Sequence, residues 1–258
     1  MTVTENPWRR LRAFTDARIG TGRAGVSLPT AEMLAFQLAH AQARDAVHLP
    51  LDTDRLVADL GRIAGLKRAQ VVASRAGGRD DYLRQPEKGR RLAEDVTLTA
   101  DAPDLALVIA DGLSARAVQD HAPAMVAALV AALPGVRLSA PVIVTQGRVA
   151  VGDDVGARLG AGAVVVLIGE RPGLSSPDSL GLYYTFAPQV GLTDARRNCI
   201  SNVRPAGLSF GQAAARLAWL HEQAGRMGMS GVALKDRTGT QPAIGGDARS
   251  FLTPPGRD

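Results

Sequence analysis

The chain has 258 residues, of which 46% are hydrophobic and 21% charged, and such a chain can bury a core without disulfides or structural metals. Its one cysteine, Cys199, excludes an intrachain disulfide and a cysteine-based zinc site, and the four histidines lack the spacing of a metal motif. The net charge of +5 comes from 30 basic and 25 acidic residues scattered along the chain, which indicates a solvated surface more than a nucleic-acid-binding face.

Neither a targeting segment nor a membrane-spanning segment is visible in the sequence. The N-terminal stretch contains no apolar region of the signal-peptide kind. No run of about 18 apolar residues occurs, which is the length that a membrane helix needs. These patterns predict a cytoplasmic protein with no membrane partner.

Residues 1–66 predict a helical N-terminal domain. Asn6 precedes a proline and is suited to cap a first helix, Thr30 a second, and Asp52 or Thr53 a third. Apolar residues recur at helical spacing after each of these positions. We expect helices over 8–19, 31–47 and 54–64.

Two further segments predict little regular structure. Residues 67–100 are irregular and rich in charge, which favours a connector or an interaction surface. Residues 236–258 are rich in glycine, proline, threonine and aspartate, which favours a flexible tail.

Residues 101–235 alternate apolar strand-like runs with helical patterns. The clearest run, 163–169, reads Ala-Val-Val-Val-Leu-Ile-Gly and is typical of a buried strand. Continuous apolar strands that alternate with helices predict an α/β fold with a mostly parallel sheet. We expect strands over 104–110, 142–145, 163–169 and 182–186, a hairpin extension at 149–151, and helices over 115–133, 154–159 and 210–224.

Three polar turns are candidate ligand sites. Residues 20–25 match Gly-x-Gly-x-x-Gly, but a charged helical segment precedes them where a dinucleotide site needs a strand. Residues 111–114 and 169–173 each follow a predicted strand, and ligands bind at such strand ends in open α/β sheets. A stand-alone, dinucleotide-dependent oxidoreductase therefore stays open as an alternative, as does an arginine-rich nucleic-acid-binding domain.

No self-sufficient catalytic centre is evident. Neighbouring arginines could lower the pKa of Cys199, whereas a lone cysteine is more often a small buried apolar residue. No histidine lies near it in sequence, and neither a Gly-x-Ser-x-Gly elbow nor a phosphate-binding P-loop occurs. The chemistry is therefore expected to come from a cofactor or a partner chain.

An ordered set of short stretches resembles one family, the small subunit of adenosylcobalamin-dependent ethanolamine ammonia-lyase. The set extends over roughly residues 6–235, and its order is more specific than any single member. The stretches lie at 17–25, 81–92, 108–114, 147–149, 166–173 and 198–202.

The resemblance implies a helical domain followed by a Rossmann-like α/β domain. It also implies a hetero-oligomer in which a large subunit binds ethanolamine and runs the radical chemistry, while this chain alone is inactive. Adenosylcobalamin would lie between the two subunits. By position, the residues implied to contact it are Val149, Glu170 and Cys199, none of them as a catalytic acid, a base or a metal ligand.

Several features depart from what is typical of this family. Gln85 and Glu87 stand where arginine and aspartate are usual, which puts a partner contact there in doubt. The chain also lacks the N-terminal extension that some relatives use for packaging in a bacterial microcompartment, so free cytoplasm is at least as strongly expected. One absence agrees with the family instead: no Asp-x-His-x-x-Gly string occurs, which predicts that the cofactor's own base stays on cobalt.

Overall fold

The N-terminal part of the chain is helical, although its first helix is shorter than predicted. The computed structural model describes residues 3–236, and its first element is a single 3-10 helix, Pro7–Ala13, with Asn6 as its cap. The expected helix over 8–19 therefore ends early, because none of the residues of this element is buried and no apolar core prolongs it. Helix α1 spans Thr30–His48 and helix α2 spans Thr53–Leu60.

The capping predictions for these helices are partly confirmed. The Asp52 side chain accepts a hydrogen bond from the backbone N–H of Arg55 at 3.0 Å, as expected of an N-cap. Thr30 does not cap α1, because the helix already begins at this residue, and Pro29 before it has no side chain that could accept a hydrogen bond.

The expected α/β fold with a mostly parallel sheet is confirmed. Six strands lie in the order β1-β3-β2-β4-β5-β6. The pairings among β1, β3, β2 and β4 are parallel, whereas β5 and β6 add two antiparallel strands at one edge. The strands are β1 Gln70–Ala73, β2 Leu105–Ala110, β3 Val142–Thr145, β4 Ala163–Gly169, β5 Leu180–Phe186 and β6 Arg197–Val203.

Helices cover both faces of the sheet. Helices α4 (Ala115–Ala132) and α6 (Phe210–Met227) have Ser114 and Ser209 as their N-caps, and they share one buried core with α2. Helix α5 (Val151–Leu159) lies in the second core. Residues of β2 alternate between the two cores, which explains why its whole sequence is apolar.

Three predictions for secondary structure are wrong. The irregular segment 67–100 contains strand β1 and a short helix, α3 (Arg79–Arg84), and β1 is an exposed edge strand of only four residues, too short to show a clear pattern. The hairpin at 149–151 does not form, because the turn after β3 leads directly into α5. Strand β6 was not predicted, since most of its seven residues are polar.

The fold does not test the predictions for the tail and for the division into domains. Within residues 3–236, no helix combines the length and the apolar character that crossing a bilayer would require. The expected tail lies, apart from Asp236, outside the described residues. The division into domains at residues 66 and 100 stays a prediction.

Candidate functional site

The carboxyl ends of the parallel strands meet at Asp111, which follows β2. This buried carboxylate accepts hydrogen bonds from the backbone N–H groups of Gly112, Gln146 and Gly147 at 3.0–3.1 Å. Burial raises its pKa, an effect that these donors and the nearby Arg79 oppose. Asp111 thereby fixes the loop after β3 at the point where the strand order reverses, which is where α/β sheets bind ligands.

Two of the three candidate turns, 111–114 and 20–25, do not have the features of a dinucleotide site. Ser114 accepts from the N–H of Ala117 and donates to the carbonyl of Pro177, while Asp111 is occupied as described above. Residues 20–25 have no strand before them, and α1 begins only at Thr30, so the strand–loop–helix context of the fingerprint is missing.

A groove runs along this edge of the sheet and consists of two adjoining clefts. The larger cleft, of about 670 Å³, is lined by Tyr183 and by side chains from segments 86–90, 148–150 and 194–199. The smaller cleft, of about 450 Å³, is lined by residues of segments 82, 113, 148–149 and 168–171 together with Tyr183. Because Arg148, Val149 and Tyr183 line both clefts, the two form one continuous groove.

The structure brings the three sequence-predicted site residues to this groove. Val149 lies at its centre and lines both clefts, Glu170 lines the smaller cleft, and Cys199 lines the larger one. Tyr183 separates the last two, since it pairs with Cys199 across β5 and β6. Residues from three distant parts of the sequence therefore share one surface.

The Glu170 carboxylate is held on one side only. Its Oε2 atom accepts hydrogen bonds from the Ser179 hydroxyl and from the backbone N–H of Asn202, the latter at 3.2 Å. Asn202 adopts a left-handed conformation, with φ of 58°, to present that N–H. Within residues 3–236, no N–H or O–H group donates to Oε1 and no cation pairs with this carboxylate, so it can accept hydrogen bonds from a ligand.

Cys199 is exposed on β6, and neither sequence-based expectation for it is correct. It is not buried, and its thiol is not activated. Desolvation by the cleft walls raises the pKa of Cys199; a hydrogen bond with Tyr183 opposes this effect, and the negative charge of Glu170 adds to it. The neighbouring Arg197 does not counter this, because its guanidinium is bound to the buried Asp153 at 2.8 Å. The sulfur is therefore a neutral thiol at physiological pH.

Two residues of the groove were not singled out from the sequence. The guanidinium of Arg148 lies over the ring of Tyr82, 4.0 Å from its centroid, and burial raises the pKa of Tyr82 to about 12. Both lie in stretches that carried the family resemblance, but their contact joins segments 66 positions apart. Glu87, one of the departures from the family pattern, also lies on the wall of the larger cleft.

The groove contains no cluster of metal-binding side chains. In the part of the chain that the structure describes, no group of three or more histidine, cysteine, aspartate or glutamate residues is placed to hold a metal ion. The polar groups of the groove are instead suited to bind an organic ligand through hydrogen bonds and apolar contact.

Comparisons with known proteins give one consistent result. The family model for ethanolamine ammonia-lyase light chain (EutC) matches residues 5–235. The chain is 54% identical to the ethanolamine ammonia-lyase small subunit of Ralstonia nicotianae, over 97% of this chain and 96% of that relative. It is 57% identical to that of Azotobacter vinelandii, over 91% and 90% of the two chains. The chain therefore belongs to the ethanolamine ammonia-lyase light chain family.

Proposed function

We propose that this chain binds adenosylcobalamin at an interface with the large subunit of ethanolamine ammonia-lyase. The assembled enzyme would convert ethanolamine to acetaldehyde and ammonia, with ethanolamine bound mainly by the large subunit. The observation that carries the proposal is the continuous groove that collects Val149, Glu170 and Cys199. These are the positions that the family resemblance assigns to the cofactor.

The donors and acceptors of the groove fit the chemistry of a cobalamin. Its ring edge carries neutral amide arms, which both donate and accept hydrogen bonds. Oε1 of Glu170 can accept from an amide NH₂ group, a charge-assisted bond that is stronger than a neutral one. Val149 and the neutral thiol of Cys199 supply apolar contact, and the ring of Tyr183 adds to this wall.

The residues of this chain would bind and orient the cofactor and exclude water from it. The radical chemistry is supplied by the cofactor when it is bound. No side chain of the groove needs to exchange a proton. Glu170 accepts hydrogen bonds as a carboxylate, and the raised pKa of Cys199 keeps its sulfur protonated and inert.

Exposed apolar side chains in the N-terminal part of the chain support the proposal that a partner chain binds there. Trp8 is 64% exposed, Phe14 85% and Leu38 61%. This segment is nevertheless ordered, because Arg12 holds the first 3-10 helix against α1 through a bidentate ion pair with Glu32, both bonds 2.9 Å long. Large apolar side chains held rigidly at a surface mark a protein interface. We assign this surface to the large subunit, in keeping with the name "small subunit" that the relatives bear.

Other aspects of the function stay predictions from the sequence. These are the location in the cytoplasm, with or without packaging in a microcompartment, the absence of a nucleic-acid partner, and the inactivity of the chain alone. A dinucleotide-dependent oxidoreductase is disfavoured, since Asp111 and Ser114 are already engaged within the protein.

Equilibrium binding tests this proposal. Adenosylcobalamin is titrated into this chain alone, into a large subunit of the family alone, and into the purified pair, with the change in visible absorbance as the readout. We expect the pair to co-purify and to bind the cofactor more tightly than either chain. Equal affinity of the pair and the large subunit alone would contradict a contribution from this chain.

A further inference from the structure

At the centre of the groove, Arg148 is a cation without an anionic partner among residues 3–236. Of the three arginines that line the larger cleft, Arg90 lies 3.8 Å from Asp194 and Arg197 is paired with Asp153. No carboxylate within residues 3–236 pairs with Arg148. Its Nε atom is also buried and lacks a hydrogen-bond partner among the described residues.

The protein fixes the position of this guanidinium. The Nη2 atom donates to the carbonyl oxygen of Tyr82 at 2.7 Å, and the group stacks on the ring of the same residue. The backbone N–H of Arg148 donates to the carbonyl of Gly89 at 2.7 Å, and a side chain at Gly89 would collide with the Arg148 stem. An arginine that is held in this way and lines a cleft can bind an oxyanion through its remaining N–H groups.

Glu170 and Arg148 differ in the hydrogen bonds that they can offer a ligand in the groove. Glu170 lines only the smaller cleft and accepts hydrogen bonds, whereas Arg148 lines both clefts and can only donate. The amide arms of a cobalamin are neutral and match Glu170. Its one fixed anionic group is the phosphodiester of the nucleotide loop, which matches an unpaired guanidinium.

We infer that Arg148 binds the phosphodiester of the cofactor's nucleotide loop and thereby selects complete cobalamins over corrinoids that lack this group. The inference rests on the proposed function, since it assigns a further contact in the same groove. It adds a source of selectivity that Val149, Glu170 and Cys199 do not provide.

A series of three corrinoids tests this assignment in the assembled two-subunit enzyme. Adenosylcobalamin contains the phosphodiester, adenosylcobinamide phosphate keeps a phosphate without the base, and adenosylcobinamide has neither. In Arg148→Gln we expect the dissociation constants of the first two to rise about 10- to 100-fold and that of adenosylcobinamide to stay unchanged. Arg148→Lys keeps the charge but not the fork, and we expect a smaller rise.

Arg226→Gln is the control, because Arg226 is an exposed arginine that lines neither cleft. We expect it to change the affinity for all three corrinoids less than threefold. A loss in Arg148→Gln that is equal for all three corrinoids would overturn the inference, as would an equal loss in Arg226→Gln. Weakened subunit association in Arg148→Gln, with no discrimination among corrinoids, would assign Arg148 to a partner carboxylate instead. If the wild-type enzyme binds no adenosylcobalamin, the proposed function itself fails.

Discussion

Arg197 and Asp153 form a buried ion pair beneath the larger cleft, with Nη1 and Oδ1 2.8 Å apart and both side chains 3% exposed. The pair joins β6, the strand at one edge of the sheet, to helix α5. Further bonds from Arg197 reach Asp194 and the carbonyl of Leu192. Arg197 is two residues from Cys199 on the same strand, so this pair fixes the part of β6 that carries a predicted cofactor contact.

Replacement of one partner of this pair should destabilise the fold strongly. In Asp153→Asn the guanidinium of Arg197 stays buried without its main counter-charge, although the exposed Asp194 remains 3.2 Å away. We expect the free energy of unfolding, measured by urea denaturation, to fall by about 3 kcal/mol. Asp59→Asn is the control, because its partner Arg62 is largely exposed, and its loss should stay below about 1 kcal/mol. Equal effects of the two substitutions would contradict the structural role of the buried pair.

Gly169 marks the tightest contact at the carboxyl end of the sheet. A Cβ atom at this position would overlap the Ser114 carbonyl group and lie 2.7 Å from the Asp111 carbonyl oxygen, both of them backbone atoms. We expect Gly169→Ala to lower the free energy of unfolding by about 3 kcal/mol or more, because neither loop can move without breaking its own hydrogen bonds. Gly78→Ala is the matched control, since its backbone is extended and nothing lies within 4 Å of the added atom. If Gly169→Ala is as stable as Gly78→Ala, the backbone at Asp111 and Ser114 can shift at little cost, which would contradict this prediction.

Glu170 should contribute directly to cofactor affinity. Glu170→Ala removes the acceptor Oε1 and leaves the donors of Ser179 and Asn202 without a partner, so we expect cobalamin binding to the assembled enzyme to weaken by about 1–3 kcal/mol. Glu170→Gln keeps the shape and one acceptor atom, and its loss should be smaller. The dissociation constant from an absorbance titration checks both. An unchanged constant in Glu170→Ala would remove this residue from the site.

The thiol of Cys199 should react slowly in spite of its exposure. Because desolvation raises its pKa above the ordinary value of 9.0, the thiolate fraction at about pH 8 is smaller than that of a free cysteine. We expect alkylation by iodoacetamide to be correspondingly slow, to accelerate as the pH rises above 9, and to slow further when adenosylcobalamin is bound in the assembled enzyme. The rate is read by mass spectrometry of the one cysteine-containing peptide. An alkylation rate that saturates below about pH 8 would indicate an activated thiol and contradict this account.

How far the sequence predicts the fold depends on how a strand is buried. Strand β4 is covered on both faces and reads as a short continuous apolar run, and that run identifies it in the sequence. In strand β6, the Arg197 side chain donates to Asp153, and the Asn198 side chain donates to the carbonyls of Gly231 and Leu234. Such long-range bonds make polar residues acceptable in a strand, and no local pattern reveals them.

The same distinction holds for the groove. Val149, Glu170 and Cys199 were predicted from matched positions in short stretches, and the fold then brings the three together. The role inferred for Arg148 could not be predicted, because it depends on a stack with Tyr82 and on the lack of a counter-charge among the residues that the structure describes. Likewise, the hairpin expected at 149–151 had its turn at Gln146 and Gly147, but Asp111 holds that turn from another strand and the chain continues into α5.

The most direct test of the central claim is reconstitution of activity. This chain, a large subunit of the family and the co-expressed pair are each purified and assayed for acetaldehyde from ethanolamine in the presence of adenosylcobalamin. We predict activity in the pair alone. Acetaldehyde formation by the large subunit without this chain, or a co-purified pair that binds the cofactor and produces none, would contradict the account.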